Sequence, residues 1–115
     1  MSTPEPRYFS GSAASRTGLI SVETTETGLP TAISVYEVVL RDDPGGLAAE
    51  IMRLCRQSAN RARLARRNAL TEAGADREVM AWLGLPTAEE VARAEEAEEE
   101  QFGYDPGSWL KASYE

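Results

Sequence analysis

The sequence predicts an α+β fold: a short antiparallel β-hairpin or sheet, then a long helix, then C-terminal helices. Three observations carry this. Residues 18–25 (GLISVETT) and 29–40 (LPTAISVYEVVL) alternate around a short Gly-containing turn, the pattern of a hairpin. Residues 44–70 (PGGLAAEIMRLCRQSANRARLARRNAL) repeat apolar and small residues at steps of three and four, the helical period. Thr87-Ala88-Glu89-Glu90 spells a capping box, a specific helix-start signal.

Residues 1–17 (MSTPEPRYFSGSAASRT) mix Pro, Ser, Gly and Thr with Tyr8 and Phe9 as the bulky residues. They are expected to be a disordered lead, with Tyr8 and Phe9 free to dock on a neighbour. In the first alternating run Ile20, Val22 and Thr24 share one face. In the second, Ile33 and Val35 share one. Residues 26–28 form the turn between them, and Pro30 puts the start of the second strand at an edge or a bulge. Residues 38–40 read as a continuation of that strand or as a third short one.

The long helix organises the chain. Asp42 and Asp43 favour its N-terminus, Pro44 suits the first helical position, and Gly74 suits the stop. Leu47, Ile51, Leu54, Ser58, Ala62, Ala65 and Ala69 form one stripe. Arg53, Arg56, Asn60, Arg63 and Arg67 form the opposite face. The stripe is large at its start and small towards its end, which lets another backbone come close. Ile33, Val35, Leu47, Ile51 and Leu54 are expected to pack together. With Ala62 and Ala65 they are the candidate dimer or partner interface. One hairpin and one helix are too little for an independent core, so a second copy of the chain is expected to cover the sheet edge.

Residues 75–85 read as a short second helix with Val79, Met80, Trp82 and Leu83 on its apolar side. A third helix runs from the capping box to about Gln101, its weak apolar face being Val91, Ala94, Ala97 or Glu98, and Phe102. The division is therefore a lead (1–17), a hairpin–helix core (18–74), a helical extension (75–103) and a tail (104–115). The tail, with Trp109, Leu110 and Tyr114 as its bulky residues, is expected to be an unfolded end or a short docking segment.

At 115 residues, with 42% hydrophobic residues, much of it alanine, and 7% aromatic, a single domain with a thin core is expected. The net charge is −7 and the isoelectric point about 4.7. The charge is bipolar: residues 47–67 carry six arginines and one glutamate, and residues 87–101 carry seven glutamates and one arginine. The acidic helix is expected to be a solvated face, or else to fold back on Arg53, Arg56, Arg63 and Arg67 and mask them. Those four are the candidate nucleic-acid contacts in the alternative reading.

The chain has one cysteine, Cys55, and no histidine. This excludes an internal disulfide, a Cys/His metal cluster, a Ser/His/Asp triad and a His-activated thiol. No Gly-rich phosphate loop or nucleophile elbow is written. No catalytic residue, metal or cofactor is implied, and the chain is read as not an enzyme. No apolar run approaches the ~20 residues of a bilayer span, and the start lacks a secretory signal. The expected compartment is the cytoplasm, with secretion as the alternative. Trp82-Leu83-Gly84 matches the W-x-G tripeptide of type VII secretion substrates, but it follows one short helix and no tyrosine begins Y-x-x-x-[DE].

The run GLISVETTETGLPTAISVYEVVLRDDPGGLAAEIMRLCRQSANRARLA resembles the hairpin-to-helix half of the YbaB-like family of small nucleoid-associated proteins. A sharper likeness covers residues 19–104. ISVETTETG, LAAEIMRLCRQSANRAR and, most specifically, LGLPTAEEVARAEE resemble stretches of the EspD/EspH-like proteins of mycobacterial type VII secretion loci. The resemblance implies a homodimeric, non-enzymatic accessory or chaperone-like factor that binds protein partners such as secretion substrates. The alternative it implies is a nucleoid-associated DNA binder, against which the net charge of −7 counts. Residues 1–17 carry neither the long acidic region of those relatives nor the first helix of the YbaB-like unit.

Overall fold

The structure, a computed structural model, describes residues 9–41 and 43–102, with the backbone only for residues 100–102. Tyr8, Asp42, Phe102 as a face residue, and the tail residues Trp109, Leu110 and Tyr114 lie outside the described set. Three antiparallel strands, β1 (Ser10–Ala14), β2 (Ile20–Thr25) and β3 (Pro30–Val35), form a sheet in the order β1-β2-β3. A 3-10 turn (Glu37–Arg41) leads into α1 (Pro44–Glu72), followed by α2 (Arg77–Trp82) and α3 (Ala88–Phe102). The fold class is the α+β arrangement the sequence predicts.

The hairpin is built as its residues require. Gly28 supplies φ +86° in the β2–β3 turn, and Thr25 N–H donates to the Leu29 carbonyl. Pro30 opens β3 at the sheet's edge and beside a register shift between Glu23 and Thr24. Residues 38–40 are not strand. Val39 N–H donates to the Tyr36 carbonyl, and the 3-10 turn drives Val39 into the core, fully buried. The chain must reverse there to start α1, so it cannot keep pairing with β2.

α1 is capped as expected. The Asp43 carboxylate accepts from Gly45 N–H and Gly46 N–H, both at 3.1 Å, and Pro44 follows it. At the other end Gly74 has φ +91°; its N–H donates to the Thr71 carbonyl and that of Ala75 to the Leu70 carbonyl, a Schellman stop. α2 ends the same way at Gly84. Of its four expected apolar residues only Met80 is buried; Trp82 is 85% exposed, and Val79 and Leu83 are exposed too. At six residues α2 turns one side chain inward and no more.

The lead is the main correction. Residues 10–14 of the expected disordered segment form β1, paired along its length with β2. Its small residues are the reason. A Cβ on Gly11 would lie 1.9 Å from the Ser58 carbonyl oxygen and 2.9 Å from the Ala62 amide nitrogen, so only glycine lets α1 pass this close. The backbone that approaches the small-residue stripe is β1 of the same chain.

α1 lies over β1 and β2. The core is Ala13, Ile20, Val22, Val39, Leu54 and Cys55, with Val35, Leu47 and Ile51 packed against it. Thr24 on β2 donates to the Ser58 hydroxyl at 2.7 Å in a buried bond. Ile33 does not join this core. Register pairs it with Val22, so it faces the helix side, but β3 lies beyond the cover of α1 and Ile33 is 47% exposed.

Candidate functional site

Two surfaces collect the residues the sequence singled out. The first is the β3 edge. Tyr36 N–H donates to the Leu19 carbonyl, and with the register Ile20↔Val35 and Val22↔Ile33 this alternation turns the peptide groups of Ile33 and Val35 to the free edge. No residue of β3 is charged, and charged residues are the usual guard of an exposed edge. Exposed Leu29, Ile33, Tyr36, Leu40 and Met52 belong to the hairpin, the 3-10 turn and the adjoining face of α1. Between the hairpin turn and α1 runs a groove of about 490 Å³, with Gly28, Pro30, Met52, Cys55 and Ala59 in its walls. Cys55 is a buried free thiol whose pKa is raised, mainly by burial, against a smaller opposing effect of the Arg56 charge. That favours an inert thiol.

Of the candidate interface residues, Ile33 lies in this surface and Val35 flanks it half-buried. Leu54 and Ala62 do not: both are fully buried inside the chain. Leu47 and Ile51 pack on the core's margin, and Ala65 is half-buried further along α1. Ala62 is taken up by β1, which the sequence reading placed in a disordered lead.

The second surface is the arginine face. Arg53 does not belong to it. It is 7% exposed and its guanidinium donates to Glu50 Oε1, with Nε at 2.9 Å, while Glu50 is 1% exposed. Glu50, Arg53 and Gln57 are a second buried stripe beside the apolar one. Arg56 lies 3.9 Å from Glu98. Arg63 donates to the Gly84 carbonyl, and Arg67 to the Leu85 carbonyl at 3.0 Å. Two arginines outside the candidate set are tied as well. Arg61 donates to Glu95 at 2.6 Å and to the Ser12 carbonyl at 2.9 Å. Arg66 donates to Glu26 at 2.9 Å and lies over the Phe9 ring, 5.6 Å from its centroid. All six arginines of α1 thus have partners within the chain.

Two of these ties run to α3, which lies antiparallel along α1: Glu95 meets Arg61 and Glu98 meets Arg56; a third pair joins Glu99 of α3 to Arg16 of the β1–β2 turn at 3.2 Å. The helix is fastened at its start by the expected capping box. Glu90 N–H donates to Thr87 Oγ1 at 3.1 Å, and Thr87 N–H to Glu90 Oε1 at 3.2 Å. The Thr87 amide and hydroxyl bonds hold the Glu90 carboxyl below its ordinary pKa of 4.5. The acidic helix is therefore docked, and the expectation of a helix touching nothing but solvent is corrected. The signal for docking was present in the opposite charges of residues 47–67 and 87–101. The signal for Glu50, Gln57 and Arg16 as members was not, because polar residues at helical spacing look like a wet face.

Among the described residues no group of three His, Cys, Asp or Glu side chains is placed to hold a metal ion, and no helix is long and apolar enough to cross a membrane. No protein-family model matches the chain, and neither a curated protein nor a solved structure matches it.

Proposed function

We propose that this chain is a non-enzymatic accessory factor that works by binding polypeptides, chaperone-like towards the substrates of a type VII secretion system, and that it acts as a homodimer in the cytoplasm. The secretion context rests on the likeness of residues 19–104 to the EspD/EspH-like proteins. The observation that carries the binding role is the open β3 edge: an uncharged strand with Ile33 exposed on the helix side and its peptide groups turned outward. Such an edge is a template for another strand. A second copy pairing β3 with β3 antiparallel about a two-fold axis would extend the sheet and cover both Ile33 side chains with one self-complementary contact.

The nucleic-acid alternative has less support. It needs guanidinium groups open to phosphate, and those of α1 are engaged within the chain. Sedimentation equilibrium of the full chain at micromolar concentration tests the dimer: two copies are expected, and Ile33→Lys is expected to give one. A folded wild-type monomer would overturn the pairing. For the wider role, capture of secretion substrates is expected from a lysate, and no shift of duplex DNA at low salt. DNA retention with no protein capture would reverse the assignment.

A further inference from the structure

The surface that α3 covers is a groove with its own chemistry. Its walls are Arg56 and Arg61 of α1 and Arg16 from the β1–β2 turn. A cleft of about 330 Å³ opens between α3 and this wall, and the nearly buried Arg53 and Gln57 line it. The hold on α3 is mostly electrostatic. The arginine side chains that grip Glu95, Glu98 and Glu99 are 42%, 51% and 64% exposed, and ion pairs so exposed hold weakly and are screened by salt. The apolar hold is narrow: Val91 is buried and Ala94 half-buried, while Ala88, Ala92 and Ala97 are exposed. One Glu98 carboxylate oxygen is buried without a hydrogen-bond partner, a cost of docking. The stretch before α3 turns at Gly84, φ +69°, and Pro86 follows.

We propose that this groove is a docking site for an acidic helix of a partner protein, and that α3 is its internal, displaceable occupant. The occupant defines the partner's chemistry. Val91, Ala94, Glu95, Glu98 and Glu99 lie within two turns of one helix face. The groove thus takes a helix with small apolar residues at i and i+3 and carboxylates at i+4, i+7 and i+8. A protein helix fits better than nucleic acid because Arg53, the deepest cation, is already neutralised by Glu50, which leaves the charge on the rim. Docking in trans is weakened by the fraction of time α3 occupies the groove. The inference does not depend on the β3 edge.

The probe is a fluorescein-labelled peptide of residues 87–102, titrated by anisotropy against the full chain, E95Q/E98Q/E99Q, and the control E23Q/E72Q/E78Q. The control removes the same charge from exposed glutamates that form none of these pairs. At low salt the first variant is expected to bind the peptide at least ~10-fold more tightly than wild type and control. Adding Arg61→Gln and Arg56→Gln to it is expected to abolish the gain. Equal binding by variant and control, or a gain that survives loss of both arginines, overturns the proposal. Tighter binding of a duplex DNA than of the peptide by the opened variant at equal ionic strength overturns it too, in favour of a nucleic-acid groove. A second readout needs no substitution. Hydrogen exchange of wild type is expected to show α3 amides losing protection as salt rises while those of α1 and the sheet keep theirs; α3 protection unchanged by salt overturns the electrostatic hold.

Discussion

At Gly11 the sheet comes close to the backbone of α1, and its missing side chain permits the spacing. A methyl group there meets the Ser58 carbonyl at 1.9 Å, and backbone cannot yield as a side-chain tip can. Gly11→Ala is expected to lower stability by about 1–3 kcal/mol, the cost of overpacking, with the strongest loss of amide protection in β1; chemical denaturation and hydrogen exchange check this. The Glu50–Arg53 pair makes a different kind of prediction. Both side chains are buried and one Glu50 oxygen has no partner. Arg53→Met leaves a buried carboxylate alone and is expected to cost about 3–5 kcal/mol, whereas Glu50→Leu with Arg53→Met is expected to be close to neutral or better. Urea melts of wild type, both single variants and the double variant decide it, and the cycle they close gives the coupling between the two sites.

At the scale of elements, Leu54 and Ile33 separate packed from uncovered apolar residues. Leu54 is fully buried, so Leu54→Ala is expected to cost about 2–5 kcal/mol. Ile33→Ala is expected to cost less in dilute monomer, because half the side chain is already in water. The capping box of α3 responds to pH. The carboxyl of Glu90 is depressed in the folded chain, so its contribution is complete above the ordinary 4.5 and is lost as pH falls through the lowered value. The first-turn amides of α3 are expected to lose protection on acidification, and somewhat less so in Thr87→Ala, which keeps the backbone amide donor to the carboxylate but loses the smaller contribution of the hydroxyl. Elements with local signals were legible in the sequence: the Gly28 turn, Pro30 at an edge, Asp43 and Gly74 bounding α1, and the Thr87 box. β1 was not, because Ser-Gly-Ser-Ala-Ala has little strand propensity and becomes a strand through contact with a helix far along the chain. The side Ile33 faces was legible; its exposure was not, since that depends on where α1 lies across the sheet.

Across the whole molecule, charge has a spatial order that the net value of −7 hides. Cationic α1 packs on both the sheet and an acidic helix, and its arginines bind both: Arg61 by itself joins the Ser12 carbonyl of β1 to Glu95 of α3. The basic patch legible in the sequence is therefore an internal bond between layers. Arg61 and Arg66 take part although the helical wheel puts them on the borders of the apolar stripe, away from the other arginines; only the positions of α3 and the hairpin turn bring partners to them.

The dependence of β1 on α1 also sets an order in time. β2 and β3 close across a tight turn and α1 forms from its own caps, so each can appear early. β1 meets α1 across long stretches of chain, 49 positions apart in the Arg61–Ser12 bond, and a closure of that length is slow to form. Its small side chains give it little reason to join the sheet before the helix has docked. In a refolding experiment with pulsed hydrogen exchange, the amides of β1 are expected to gain protection after those of β2, β3 and α1. Simultaneous protection of all three strands would mean that the sheet assembles first and the helix settles onto it.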